Sequence, residues 1–315
     1  MNSTEPTLAA LSSPALRYFL ATRPAFLGVT LFACAIGLAT AYYDDVGVSA
    51  AIAAVTVIFA LLAHAGVNVL NDYYDALNGT DAMNTDRIFP YTGGSRFIQN
   101  GVLTLRETAI FGVTLFCVVM AAGIWLTWIS GAGLLVIGTT GLLIGWAYSA
   151  PPLRLNSRGA GELCVAVGFG LITVGSDYVQ RRGFTALPTV AVASYALLVT
   201  NILYINQFPD RAADQAAGKH HWVVRLGAKN ARWGYIALIC LAYGWLVAMV
   251  ITGHLPALAL IALTSVPISG KAAAELLRHA SHPQRLAPAI QMTIGAACAH
   301  GLLVSLALAL TKAFA

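Results

Sequence analysis

Two stretches of the chain gather carboxylates at helical spacing. The first runs Asn68-Val-Leu-Asn71-Asp72-Tyr-Tyr-Asp75 and continues through Asn78-Gly79 to Asp81. The second, Asn206-Gln-Phe-Pro-Asp210-Arg-Ala-Ala-Asp214, follows about 138 residues later. On a helix, Asn68, Asp72 and Asp75 lie at i, i+4 and i+7, and Asn206, Asp210 and Asp214 at i, i+4 and i+8, so each set shares one face. Pro209 is expected to bend the second helix. Like charges at this spacing repel by a few tenths of a kcal/mol on an exposed helix and by more at a membrane, so something cationic must compensate. Hard oxygen donors grouped this way suit Mg²⁺, which sits on one or two carboxylates plus phosphate oxygens. Metals on either side of one pyrophosphate would neutralise its charge and make it a better leaving group. The plainer alternative is two solvated helix ends, where Asp, Asn and Gly are common. The recurrence of the cluster with the same leading Asn favours the chemistry and predicts two similar halves facing each other.

The elements that hold these clusters follow from composition. Of 315 residues, 58% are hydrophobic and 10% charged, and the mean hydropathy is +0.73. Soluble domains carry about 25% charged residues, so a soluble globular domain, a disordered chain and a nucleic-acid binder are excluded. Cys34, Cys117, Cys164, Cys240 and Cys298 all fall in apolar stretches without a CxxC pair, which implies neither a disulfide framework nor a zinc site. Runs of roughly 20 apolar residues, the length a bilayer core requires, occupy 24–43, 48–70, 108–128, 132–150, 162–180, 187–207, 233–252, 255–271 and 288–311. They are continuous rather than alternating, so helices are expected and a barrel is not. The eighth run is short and holds Pro256 and Pro267. The expected fold is an all-α polytopic membrane protein of nine spans, one domain over 1–315, with a tail at 1–16 and cap loops at 71–107, 151–161, 208–232 and 272–287. The tail holds Glu5 but no Lys or Arg, unlike a signal peptide, so the first span is expected to stay in the mature protein.

The loops alternate in charge. One side collects Arg17, Arg23, Arg87, Arg96, Arg106, Arg154, Arg158, Arg211, Lys219, Arg225, Lys229, Arg232, Lys271, Arg278 and Arg285; the other has Arg181, Arg182 and Lys312. By the positive-inside rule the N-terminus and the long loops are cytoplasmic and the C-terminus lies outside. In a bacterium this is the cytoplasmic (inner) membrane. Both acidic clusters sit on the cytoplasmic side.

With these motifs the chain resembles the UbiA-type superfamily of intramembrane polyprenyltransferases. The matching segments are Arg23-Pro-Ala-Phe-Leu, Asn68 to Asp81, Tyr148-Ser-Ala-Pro-Pro-Leu-Arg154, Gly161-Glu162, and Asn206 to Lys219 with the following Val-Val-Arg225-Leu-Gly. The resemblance covers nearly the whole chain. Within the superfamily, Asp72-x2-Asp75-x5-Asp81 with Asn-Gly-Thr-Asp, and Gly175-x-x-Tyr178-Val-Gln180, look most like the 1,4-dihydroxy-2-naphthoate (menaquinone-pathway) branch. The 4-hydroxybenzoate branch places an Asp where this chain has Gly79. The resemblance implies a UbiA-like helical bundle that binds a polyprenyl pyrophosphate through Mg²⁺ and moves its prenyl group to an aromatic acceptor, with loss of the acceptor's carboxylate. Asp72, Asp75, Asp210 and Asp214 would be catalytic and, with Asp81, metal ligands. Asn68, Asn71, Asn206, Arg23, Arg87, Arg96, Tyr148, Arg154, Lys219 and Arg225 would contact pyrophosphate or acceptor. A basic residue that the family uses in the 151–161 loop is replaced at the aligned position by Asn156, with Arg154 and Arg158 as substitutes.

Other groups carry two readings each. Arg87, Arg96, Lys219 and Arg225 either bind phosphate oxygens, the arginines as forks and the lysine as a point charge, or simply mark topology. Arg23 meets the carboxylate of an aromatic acid or anchors the first span. Gly93-Gly94-Ser95 is a backbone anion nest or an ordinary turn. His64, inside a span, reads as a satisfied buried histidine, and His220 and His221 as part of a solvated loop. Asp177 reads as structural. The expected partners are a polyprenyl pyrophosphate, a small aromatic acceptor and the lipid bilayer, with no nucleic acid. Competing readings are another acceptor of the superfamily (4-hydroxybenzoate, homogentisate or a lipid), a membrane transporter, a CDP-alcohol phosphatidyltransferase and a purely structural protein. A transporter places ionisable groups at mid-span, and here they cluster at one interface. The phosphatidyltransferases carry their Asp residues in one motif with a glycine spacing absent from this chain.

Overall fold

Apolar runs punctuated by Ser, Pro and Gly fold as helices, and the computed structural model of the protein describes residues 4–314 with no strand among them. In chain order these are α1 (Pro14–Ala21), α2 (Pro24–Tyr43), α3 (Ala50–Asn78), α4 (Thr80–Met83), α5 (Leu105–Ser130), α6 (Gly133–Ser149), α7 (Gly161–Arg181), α8 (Leu187–Ala216), α9 (Trp222–Leu226), α10 (Ala228–Ile251), α11 (Val266–His279) and α12 (Ala287–Ala313). Local chemistry sets the ends. Ser49 caps α3, Gly79 at φ +80° stops it, and Thr104 with Glu107 closes a capping box on α5.

Each expected span finds its helix. Eight are long and apolar enough to cross a bilayer, and the 17-residue α6 is shorter. The eighth span begins as a 3₁₀ segment, Ala257–Ser265, and becomes α11 at Val266. The largest boundary shifts are at the C-terminal ends of three helices. Helix α3 continues to Asn78, α8 to Ala216 and α11 to His279, so the cap loops there are shorter than 71–107, 208–232 and 272–287. Pro209 stands inside α8 without ending it, and both acidic motifs are therefore built on helix rather than on loop.

Helix α8 is the most enclosed span, packed against α2, α7, α10 and α12. Tyr195, Ala191, Leu198 and Val199 of α8 join Ile36 of α2 and Leu308 of α12 in the main apolar core. A smaller core under the second motif gathers Phe208, Tyr235, Leu276 and Ile290. At the end remote from the acidic motifs, Asp177 accepts from Thr40 and from Arg181, which also reaches Asp44, while Lys312 pairs with Asp45. Asp177 is thus structural, as expected.

Candidate active site

The last three turns of α3 carry the first motif, and α4 carries its Asp81. Asp72 and Asp75 are buried, and Asn71 donates to Asp75 Oδ2 at 3.2 Å and to Ser149 Oγ at 2.9 Å. Asn68 donates to the Thr22 carbonyl at 3.0 Å, tying α3 to the start of α2. Beside it, Arg23 holds φ +59°, a left-handed conformation that a side chain bears at a cost of about 1–3 kcal/mol. There its guanidinium donates to the Tyr91 carbonyl, stacks over Phe26 and comes within 3.8 Å of Asp72 Oδ1. Arg23 thus joins the start of α2 to the first motif.

Helices α3 and α8 share no extended contact, but α4, which carries Asp81, packs against α8, and side chains join the rest of the two motifs. Lys219 Nζ lies 2.9 Å from Asp75 Oδ1 and 3.0 Å from Asp214 Oδ1, with the lysine side chain 9% exposed. Burial alone would lower the lysine's pKa, but the two carboxylates outweigh it and hold the amine charged, well above its ordinary range. His221 Nε2 stands 3.0 Å from Asp214 Oδ2. Asn84 donates to Asp210 Oδ1 at 2.5 Å, and the Gly93 N–H reaches Asp210 Oδ2 at 3.5 Å. Two residues on, the Ser95 N–H donates to Asp72 Oδ2 at 3.1 Å. The Gly93-Gly94-Ser95 turn thus directs backbone N–H groups toward the protein's own carboxylates, one from each motif.

Asp81 is 3% exposed. Burial first, then the charges of Asp75 and Asp72, push its carboxyl well above the usual range. Asp72 Oδ1 and Asp81 Oδ2 are buried without a hydrogen-bond donor. Both lie against the face of Gly94 where a Cβ would stand. Among the described residues no three His, Cys, Asp or Glu side chains stand together as a ready metal shell. The Lys219 ammonium sits between Asp75 and Asp214 and contacts both. The orphaned carboxylate oxygens, hard and anionic, nevertheless fit a divalent cation.

Below the carboxylates opens a cavity of about 430 Å³. Its mouth is polar, with Asn68, Asp75, Asp81, Asn206, Asp210 and Lys219. Its depth is apolar and runs between α3, α5, α6 and α7 past Phe59, Leu126, Ile137, Leu171 and Val179. Tyr148 and Asn156 also line it, and Asn206 Oδ1 is buried without a partner. One opening therefore joins an acidic, hydrogen-bonding head to a hydrocarbon-compatible tail.

Several expected contacts are placed elsewhere. Arg87 pairs with Glu5 at 2.7 Å and donates to the Asn84 carbonyl, while Arg96 donates to the Asp81 carbonyl and faces Glu5 at 3.7 Å. These two arginines clasp the N-terminal tail to the loop after α4, so their guanidiniums already have partners. Arg154, Arg158 and Arg225 line a separate polar depression at the same end, which shares Lys219 with the cavity. Arg225 donates to the carbonyls of His220 and Arg158 and lies over Trp222. His221 is buried on Asp214, not solvated; its place two residues after Lys219 is the sequence signal for it. Asn84 had no helical register with the motif, and nothing in the spacing pointed to it.

This arrangement of fold and site defines an integral membrane enzyme, and the sequence places it in a family. Residues 24–310 match the UbiA prenyltransferase family, and the chain belongs to it. It is a membrane prenyltransferase. A 1,4-dihydroxy-2-naphthoate octaprenyltransferase of Escherichia coli (strain K12) is 30% identical over 302 residues, covering 92% of this chain and 94% of that protein. A 2-carboxy-1,4-naphthoquinone phytyltransferase of Synechocystis sp. is 28% identical, covering 73% and 72%. Among solved structures, a UbiA homolog from Archaeoglobus fulgidus bound to GPP and Mg²⁺ superposes with a TM-score of 0.59 at 14% identity, covering 91% of this chain and 99% of that one. The apo UbiA homolog from Aeropyrum pernix K1 gives 0.64 at 17% identity, covering 87% and 96%.

Proposed function

We propose that the protein transfers a polyprenyl group from its pyrophosphate to 1,4-dihydroxy-2-naphthoate, a step of menaquinone biosynthesis, at the cytoplasmic face of a bacterial inner membrane. The observation that carries the reading is the junction of the two acidic motifs over the mouth of an apolar cavity, with Lys219 between them. The names of the relatives support the naphthoate acceptor, and the loop charges support a cytoplasmic N-terminus and an external C-terminus. Asp72, Asp75, Asp81, Asp210 and Asp214 would hold Mg²⁺, which supplies charge neutralisation for the pyrophosphate.

The chain's own groups do the rest. Lys219 offers a point charge for the departing pyrophosphate, and Asn68, Asn71, Asn206 and Tyr148 offer hydrogen-bonding groups around it. The C–O bond of the allylic pyrophosphate breaks with its electron pair leaving on pyrophosphate. The apolar cavity keeps water from the allylic cation. The ring carbon bearing the carboxylate then bonds to the prenyl carbon, and CO₂ leaves. The pair from the broken C–C bond restores the aromatic ring, so no ring proton has to be removed and no general base is required at that carbon.

Purified protein with geranyl pyrophosphate, Mg²⁺ and a panel of 1,4-dihydroxy-2-naphthoate, 4-hydroxybenzoate and homogentisate tests the reading. The naphthoate should be prenylated with release of CO₂, a chelator should stop turnover, and Asp72→Ala and Asp210→Ala should each be inactive. Full Mg²⁺-dependent activity in both variants would overturn the site, and preference for another acceptor would overturn the substrate.

A further inference from the structure

His64 lies on the cavity wall, on the same helix as the first motif and facing the same space. At 1.5 Å per residue it stands about 6 Å below Asn68 and about 12 Å below Asp72 along α3. Its Nδ1 is 2.8 Å from Thr30 Oγ1, and its ring meets Phe169 edge-on at 5.6 Å. The imidazole is therefore held in place from both sides.

The tautomer follows from Thr30. That residue is fully buried, and among the described residues its hydroxyl has His64 Nδ1 as its one hydrogen-bond partner. A buried hydroxyl proton needs an acceptor, so Thr30 donates and Nδ1 accepts. The single proton of the neutral ring is then on Nε2. Nε2 has no protein partner among the described residues and is not among the buried orphan atoms, so its N–H opens into the cavity. The guest at this depth must take up that donor once water is displaced. A prenyl chain has no acceptor atom and would leave the donor unpaired, which is unfavourable. An oxygen on the aromatic acceptor satisfies it. One helical turn above, Asn68 belongs to the pyrophosphate end, and the apolar side chains of Phe26 and Phe169 line the same space, surroundings that suit an aromatic ring.

We infer that His64, fixed by Thr30, binds the aromatic acceptor by donating its Nε2–H to a ring oxygen substituent, and so sets the ring's position relative to the allylic carbon. The inference rests on the reading of the cavity as the prenyl-transfer site.

The test uses full-length protein with geranyl pyrophosphate, Mg²⁺ and 1,4-dihydroxy-2-naphthoate. His64→Leu should raise KM for the naphthoate about tenfold, the worth of one such bond, and leave KM for geranyl pyrophosphate unchanged. His64→Gln, which restores an N–H donor, should recover most of the loss. If His64→Leu does not fold, Thr30→Val reads the same bond by releasing the ring, and it should again raise the acceptor's KM alone. An unchanged acceptor KM with wild-type turnover intact, or a rise in KM for geranyl pyrophosphate instead, overturns the role of His64 alone. A wild type that transfers no prenyl group to the naphthoate overturns the reading of the site and this inference together.

Discussion

Lys219 reaches 2.9 Å from Asp75, joining the loop after α8 to the last turn of α3. The compensating cation that the clustered carboxylates demand is thus, in part, supplied by the chain itself. The same ammonium contacts Asp214 at 3.0 Å, so a single side chain latches the two motifs together, and its charge persists through the physiological pH range.

Removing that latch should be costly. Lys219→Ala leaves Asp75 and Asp214 buried and facing each other without a counter-charge, a loss of about 3–5 kcal/mol. Thermal unfolding in detergent should fall accordingly, and added Mg²⁺ should recover part of the loss by binding the freed carboxylates. A melting temperature equal to wild type in metal-free buffer would refute the latch.

Gly94 separates a backbone effect from a site effect. It sits at φ +72°, and a Cβ there would strike the Asp81 carboxylate and lie 3.2 Å from Asp72 Oδ1. Gly101, at φ +67°, has nothing within 4 Å of such a Cβ. Both Gly→Ala changes should cost about 1–2 kcal/mol for the left-handed backbone. Gly94→Ala alone should also lower kcat on the order of a hundredfold, and equal turnover in the two variants would contradict the placement of Asp72 and Asp81.

The depth of the cavity predicts chain-length selectivity. Gly138 of α6 and Gly168 of α7 line it, and a Cβ on either meets nothing within 4 Å. Gly138→Leu and Gly168→Phe should therefore fold normally and shorten the longest prenyl pyrophosphate accepted, while geranyl pyrophosphate still turns over. Product lengths measured by mass spectrometry decide it; an unaltered length profile in both variants places the prenyl chain elsewhere.

The N-terminal clasp should be acid-sensitive. Burial works to raise the Glu5 carboxyl, but hydrogen bonds from Arg87 and Asn100 and the charges of Arg87 and Arg96 hold it below its usual value of 4.5. A carboxyl with a depressed pKa contributes its full stabilisation above that usual value and loses it as the pH falls through the lower, folded-state value. A spin label on the exposed Ser12→Cys, with Cys117 and Cys240 changed to Ala, should stay immobile at neutral pH and loosen only once the pH has fallen below the usual value of 4.5. Glu5→Gln should be loose at pH 7. A label immobile in both conditions would refute the clasp.

The periodicity of the sequence made the helices and both acidic faces legible, because a face is a local property of spacing. Asn68, Asp72 and Asp75 fell on one side of α3 as the i, i+4, i+7 pattern requires, and α8 carried Asn206, Asp210 and Asp214 likewise. What the spacing did not hold was the folding of the stretch between α4 and α5. That stretch returns Asn84, Gly93 and Ser95 to the carboxylates and turns Arg87 and Arg96 toward Glu5. Those contacts join residues far apart in the chain, such as the 126 positions between Asn84 and Asp210, and no period encodes them. Arg154 and Arg225 illustrate the same limit, since positive charge at a membrane face serves topology, carbonyl bonding and phosphate binding alike. His221 shows it again, since a histidine beside a glycine turn looks solvated until its partner Asp214 is known.

The polarity gradient of the cavity also sorts what leaves it. Pyrophosphate is a small polyanion soluble in water, whereas a prenylated naphthoquinol partitions into lipid. An enzyme whose chamber is acidic and hydrogen-bonding at one end and hydrocarbon-like at the other, here with Asp210 at the mouth and Val179 far below, delivers pyrophosphate and the prenylated product to different phases. Neither product then accumulates where the other must depart, and the reverse reaction would need a meeting of solutes that the membrane keeps apart.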